Sequence, residues 1–181
     1  MSAFLSDPRA IENESYRLIG RELAGCRLTG GEKAVLTRII HATGDPGYAR
    51  LVSFGHGFVA AAVTALRQGA GIFTDVEMVR SGINAGLAGG LGNRVFCAVS
   101  EPEVLADAQK TGRTRAMAAM DRLAGLMEGG LAVIGNAPTA LFRLLELIES
   151  GQARPAAIVG VPVGQCHLQQ CPCFRVHCCF P

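Results

Sequence analysis

The stretch Leu131–Gly151, "LAVIGNAPTALFRLLELIESG", holds a strand, a turn and a helix in one run. "LAVI" is apolar throughout, the pattern of a strand buried on both faces within a parallel sheet. "GNAP" breaks that run, and Pro138 suits the first turn of a helix, where a missing N–H removes no bond. "PTALFRLLELIESG" then carries a helical pattern to Gly151.

Working outward, "AGIFTD" and "RVFCAVS" before this stretch and "AAIVGVPVG" after it repeat the strand signature. Helix patterns lie between them: "DVEMVRSGI", "PEVLADAQK" and "TRAMAAMDRLAGLMEG". Alternating strands and helices predict an α/β fold, a doubly wound parallel sheet with helices on both sides. Nearer the N-terminus, Asp7 and Pro8 read as a helix start. Thr29 or Gly30 opens a second helix, Glu32 to Ile40, that delivers His41 into a following loop. "ARLVSFG" reads as a short strand and "HGFVAAAVTALRQG" as a helix ending at Gly69.

The 181 residues, 49% of them apolar, are enough for one domain with a sizeable core. A net charge of +2 comes from scattered Lys and Arg, without the basic clusters of nucleic-acid binding, and the absence of Trp gives no platform for stacking bases. No apolar run approaches the roughly 20 residues of a spanning helix, and the first residues carry acids where a signal peptide would be apolar. The expectation is a cytoplasmic protein with neither membrane nor nucleic-acid partners.

In such a sheet ligands sit at the carboxyl ends of the strands. The residues there are Thr74-Asp75, Ser100-Glu101, the Gly135–Thr139 turn and Pro162–Gly164. Free N–H groups around Pro138, with Thr139, can cradle a carboxylate; a plain strand-to-helix turn fits the same letters. "GGLGN", residues 89–93, lacks the Lys-Ser/Thr of a nucleotide loop and the spacing of a dinucleotide fingerprint. Arg113 and Arg115 flank Thr114 at a helix start, which reads either as a carboxylate clamp or as solvated surface. His41 has no Cys or His at metal spacing and no nucleophile elbow beside it. It is either a helix-end packing residue or a lone proton donor.

Together "DPRAIENESYRLI", "RIIHATGD", "GIFTDVEMVRSGI", "FCAVSEPEV", "TGRTRAMAAM", "VIGNAPTALFRLLELIESG" and "RPAAIVGVPVG" resemble the precorrin-8X methylmutase family, also called cobalt-precorrin-8 methylmutase, from about Asp7 to Gly164. The resemblance implies a flavodoxin-like three-layer α/β/α fold and a homodimer with active sites near the subunit interface. It also implies an isomerase of cobalamin biosynthesis without a dissociable cofactor or metal. The implied reaction moves a methyl group between neighbouring carbons of ring C in a corrinoid, a tetrapyrrole substrate, with or without cobalt. His41 matches the family's proton donor. Ser15, Asp75, Met78, Gly82, Thr114, Arg115, Asn136 and Thr139 fall on motifs expected to line the substrate pocket.

After "GVPVG" the family pattern stops. Residues 1–164 are expected to form the methylmutase domain, and 165–181 an unrelated tail crowded with Cys166, His167, Cys171, Cys173, His177, Cys178 and Cys179. No zinc motif has that spacing, so a reading-frame change near codon 164 is the preferred reading over a metal module. A tail of that origin suggests a second function, a non-catalytic corrinoid-binding protein whose turnover is lost.

Overall fold

The computed structural model describes residues 6–161 and the two-residue strand Arg175–Val176; the remainder of the expected Cys-rich tail, and its boundary at Gly164, lie outside the described residues. The chain forms two compact units, Met1–Ser53 and Phe54–Pro181.

The first unit is helical: α1 (Pro8–Glu22), α2 (Gly30–Thr43) and the single turn α3 (Tyr48–Leu51). Asp7 caps α1 by accepting the Ala10 N–H at 2.8 Å, with Pro8 in the first turn. A reciprocal capping box starts α2: Thr29 Oγ1 accepts the Glu32 N–H, and Glu32 Oε2 accepts the Thr29 N–H. Helices α1 and α2 pack on each other, and Ile19, Leu23, Leu36 and Ile40 are the buried apolar residues of this pair and its cap. The second helix runs past Ile40 to Thr43 and is stopped by Gly44 at φ 68°, so His41 belongs to its last turn and not to a loop. "ARLVSFG" is mostly not a strand either. Asp45 Oδ1 accepts the Gly47 N–H at 2.7 Å, an Asx turn that starts α3 and leaves only Ser53–Phe54 extended, as β1.

The second unit carries α4 (Phe58–Arg67), β2 (Ile72–Thr74), α5 (Glu77–Gly82), α6 (Ala85–Gly90), β3 (Val95–Cys97) and α7 (Pro102–Thr111). It continues with α8 (Arg115–Leu123), a 3-10 turn at Ala124–Leu126, β4 (Leu131–Ile134), α9 (Pro138–Glu149) and β5 (Ala157–Gly160). All pairings in the four-stranded sheet are parallel, in the order β3-β2-β4-β5. The chain therefore goes outward to β3, then crosses to the other side of β2, which puts the topological switch point between β2 and β4.

Strand alternation splits the buried residues between two faces. Phe73, Ala132, Ile134 and Ile158 join Val104, Met120, Leu123, Leu141, Leu144 and Leu147 in the main core under α7, α8 and α9. Ile72, Leu131 and Ala157 point the other way, where α4 packs on β4 and β5 with Phe58, Ala62 and Ala65 buried. The result is a sheet flanked by helices on both faces, as the alternating pattern predicts. Phe73 stacks on Phe96 of the neighbouring strand, centroids 5.0 Å apart, and burying a ring of this size stabilises by about 2–3 kcal/mol.

The helix α6 is absent from the sequence reading. Asn84 caps it through the Leu87 N–H, and "GGLGN" is its end and the following turn. Asn93 is buried there and its Nδ2 donates to the Leu66 and Ala70 carbonyls, both at 2.9 Å. Asn93 thereby fastens this turn to the end of α4.

Candidate functional site

In the first unit the antiparallel contact of α1 and α2 brings Ser15 to His41: Ser15 Oγ lies 3.2 Å from Nδ1. Both side chains are half-buried. Tyr16 leans its ring on the imidazole, centroids 4.9 Å apart and tilted by 38°. The Tyr16 hydroxyl donates to Glu12 Oε1 at 3.0 Å and accepts from the Arg38 guanidinium. His41 is thus oriented through one nitrogen and supported on one ring face, while Nε2 makes no hydrogen bond among the described residues. Tyr16 and Arg38 are absent from the sequence reading as site residues. The available signals are helical spacings: Arg38 lies three residues before His41 on α2, and Glu12 four before Tyr16 on α1.

In the second unit Thr114 caps α8 by accepting the Met117 N–H at 3.2 Å. Its hydroxyl also shares a 3.0 Å hydrogen bond with Thr139 in the first turn of α9. Two helix N-termini therefore converge, each with the partial positive charge of its unpaired N–H groups. Arg115 takes the first position of α8, is exposed, and has no carboxylate partner among the described residues. A cation there opposes the helix dipole, so helix stability does not account for it.

Arg113 differs from Arg115. Its guanidinium donates to Asp121 at 2.7 Å and Asp107 at 3.2 Å, and Arg143 donates to the other oxygen of Asp121 at 2.6 Å. Glu146 and Asp121, in that order, raise the Arg143 pKa. These ion pairs tie α7, α8 and α9 together, and the expected clamp loses Arg113 to them. A groove of about 360 Å³ between α7 and α8 is lined by Arg113, Asp107, Asp121, Glu103 and Arg122. Arg113 apart, it contains none of the expected site residues.

Asp75 closes β2 and is fully buried. Its Oδ1 accepts the Gly135 N–H at 3.1 Å, and its Oδ2 accepts those of Asn136 and Ala137 at 2.9 and 2.7 Å. The N–H groups of Gly135, Asn136 and Ala137 are therefore taken by a carboxylate of the chain itself, and the turn before α9 is held by Asp75. Asn136 itself is exposed and Thr139 half-buried. Gly135 has room for no side chain, since a Cβ there would come within 2.6 Å of Val79 Cγ2 on α5. Met78, beside Val79, is 65% exposed, and Gly82 is exposed at the end of the same helix.

The structure thus makes three contacts among the expected residues: Ser15 with His41, Thr114 with Thr139, and Asp75 with Asn136. Arg115 adjoins the second, and Met78 and Gly82 lie on the helix that packs against Gly135. No group of three His, Cys, Asp or Glu side chains able to hold a metal occurs among the described residues. No helix among them is long and apolar enough to cross a membrane.

Residues 10–171 match the family Precorrin-8X methylmutase. The cobalt-precorrin-8 methylmutase of Methanocaldococcus jannaschii is 35% identical, over 91% of this chain and 78% of that protein. A precorrin-8X methylmutase of a Sinorhizobium species is 38% identical over 89% of this chain and 76% of its own. The crystal structure of precorrin-8x methyl mutase from Thermus thermophilus superposes with a TM-score of 0.80, at 37% identity, over 94% of this chain and 85% of that one. A parallel sheet in this order, a supported histidine and these likenesses over nearly the whole chain lead to one assignment: the chain belongs to the precorrin-8X methylmutase family, isomerases of cobalamin biosynthesis.

Proposed function

We propose that this chain moves a methyl group between neighbouring carbons of ring C in precorrin-8X or its cobalt-containing counterpart, with His41 as the proton donor. The observation that carries this reading is the Ser15–His41 contact. In the donating form His41 is the imidazolium: Nδ1–H donates to the Ser15 hydroxyl, and the second proton sits on Nε2, the nitrogen without a partner among the described residues, so that giving it up leaves neutral imidazole. From there it is given to ring C as the bond to the methyl group breaks at one carbon and forms at the next, and it returns when product leaves. No oxidant, nucleophile or co-substrate enters the balance. The protein's task is one placed proton and firm positioning.

The substrate is a large, multiply carboxylated ring. Arg115, with Thr114 and Thr139 at the two converging helix starts, suits a carboxylate group, and exposed Asn136 supplies a further donor. Met78 gives an apolar surface for the macrocycle, next to Gly82. The proposal extends to a homodimer, for which exposed Leu87 and Leu91 at α6 are candidate contacts. The proposed setting is the cytoplasm.

Titrating the purified protein with hydrogenobyrinic acid, the product expected from precorrin-8X, tests the reading through the visible spectrum. A saturable shift at about one ligand per chain is expected. No shift from folded protein contradicts the assignment. Multiple turnover of precorrin-8X separates the enzyme from a protein that only binds corrinoid.

A further inference from the structure

Asp75 occupies the switch point of the sheet. Thr74, just before it, donates its hydroxyl to the Phe96 carbonyl of β3 at 3.1 Å, while Asp75 accepts three N–H groups from the segment after β4. The end of β2 is thereby tied to both neighbours. The turn it holds packs on Val79 but has no other side-chain hydrogen bond at these three residues: Gly135 has no side chain, Asn136 is exposed, and Ala137 at the N-cap of α9 provides no side-chain cap. Pro138 withholds its N–H as well. A fully buried carboxylate with both oxygens engaged is thus the principal polar anchor of the segment that presents Asn136 and Thr139.

We propose that Asp75 is a positioning residue of the methylmutase reaction, acting without touching substrate by fixing the Gly135–Ala137 turn and so the placement of Asn136 and Thr139. The inference rests on the reading that these two side chains bind the substrate. An acid is needed at this position because three donors converge on two oxygens. An amide offers one oxygen and turns its NH2 group against at least one N–H. Loosening the turn weakens ground-state and transition-state binding together, so KM changes while kcat is kept.

The test is a double-mutant cycle on the full chain with precorrin-8X as substrate and hydrogenobyrinic acid as binding probe. Asp75→Asn, shown to be folded, is expected to raise KM and the product Kd about tenfold with kcat within about threefold. Thr139→Ala is expected to weaken binding clearly in the natural background and much less in the Asp75→Asn background, because the placement it depends on is already lost. General destabilisation would instead make the two losses multiply. Should Asp75→Asn fail to fold, Asp75→Glu keeps the charge, shifts it by one methylene, and is expected to show the same KM effect. An unchanged KM in a folded variant, or losses that multiply, overturns the proposal while the functional reading stands. Failure of the unsubstituted protein to bind hydrogenobyrinic acid overturns both.

Discussion

Ser15 Oγ lies 3.2 Å from His41 Nδ1, a contact made across 26 positions by the packing of α1 on α2. It makes the serine an orienting group for the imidazole. Ser15→Ala removes one hydrogen bond worth about 1 kcal/mol, so kcat for precorrin-8X is expected to fall roughly fivefold with KM little changed. Steady-state kinetics at saturating substrate give the answer, and an unaltered kcat removes Ser15 from the mechanism.

Gly135→Ala is expected to destabilise the protein. The new Cβ would meet Val79 Cγ2 at 2.6 Å, and a β-branched side chain has little freedom to turn away. Overpacking of this kind costs about 1–3 kcal/mol, read as a lower midpoint in chemical denaturation. Combining it with Val79→Ala is expected to return part of the loss. A Gly135→Ala protein as stable as its parent contradicts the close approach of α5 to the turn.

Cys97 is expected to resist alkylation. Burial pushes its thiol up, partly offset by hydrogen bonding to Val99 and Thr74, so the neutral form persists to higher pH in the folded chain than in the unfolded one. The associated stabilisation is fully present below the unfolded thiol pKa and is lost as pH rises through the folded one. Iodoacetamide labelling at mildly alkaline pH, resolved by peptide mapping, should be about tenfold slower at Cys97 in the folded protein than in guanidinium. Equal rates contradict this.

The sheet was legible because β2, β4 and β5 are short apolar runs separated by helices with clear starts, such as Pro138 and Thr114. Of "ARLVSFG", residues 49–55, read as a strand, residues 49–51 are helical through an Asx turn at Asp45 whose weight the apolar letters concealed, and only Ser53–Phe54 is extended. At the candidate site, motif resemblance picked out Ser15 and His41 separately, and their contact appears only in the fold. The different fates of Arg113 and Arg115 were not, since the deciding partner of Arg113, Asp121, sits two helical turns further along α8. Asp75 was legible as a residue of the strand end and expected pocket, but its anchoring of the turn was hidden for a related reason. Its three donors lie 60 to 62 positions away, and only the parallel pairing of β2 with β4 brings them together.

In the proposed reaction His41 gives the proton. Single-turnover conversion of precorrin-8X by His41→Asn, with hydrogenobyrinic acid binding measured on the same preparation, tests it most directly. The expected rate is about 10²- to 10⁴-fold below that of the unsubstituted protein, with product affinity within a few-fold. A His41→Asn protein that binds product and converts substrate at the unsubstituted rate would contradict it.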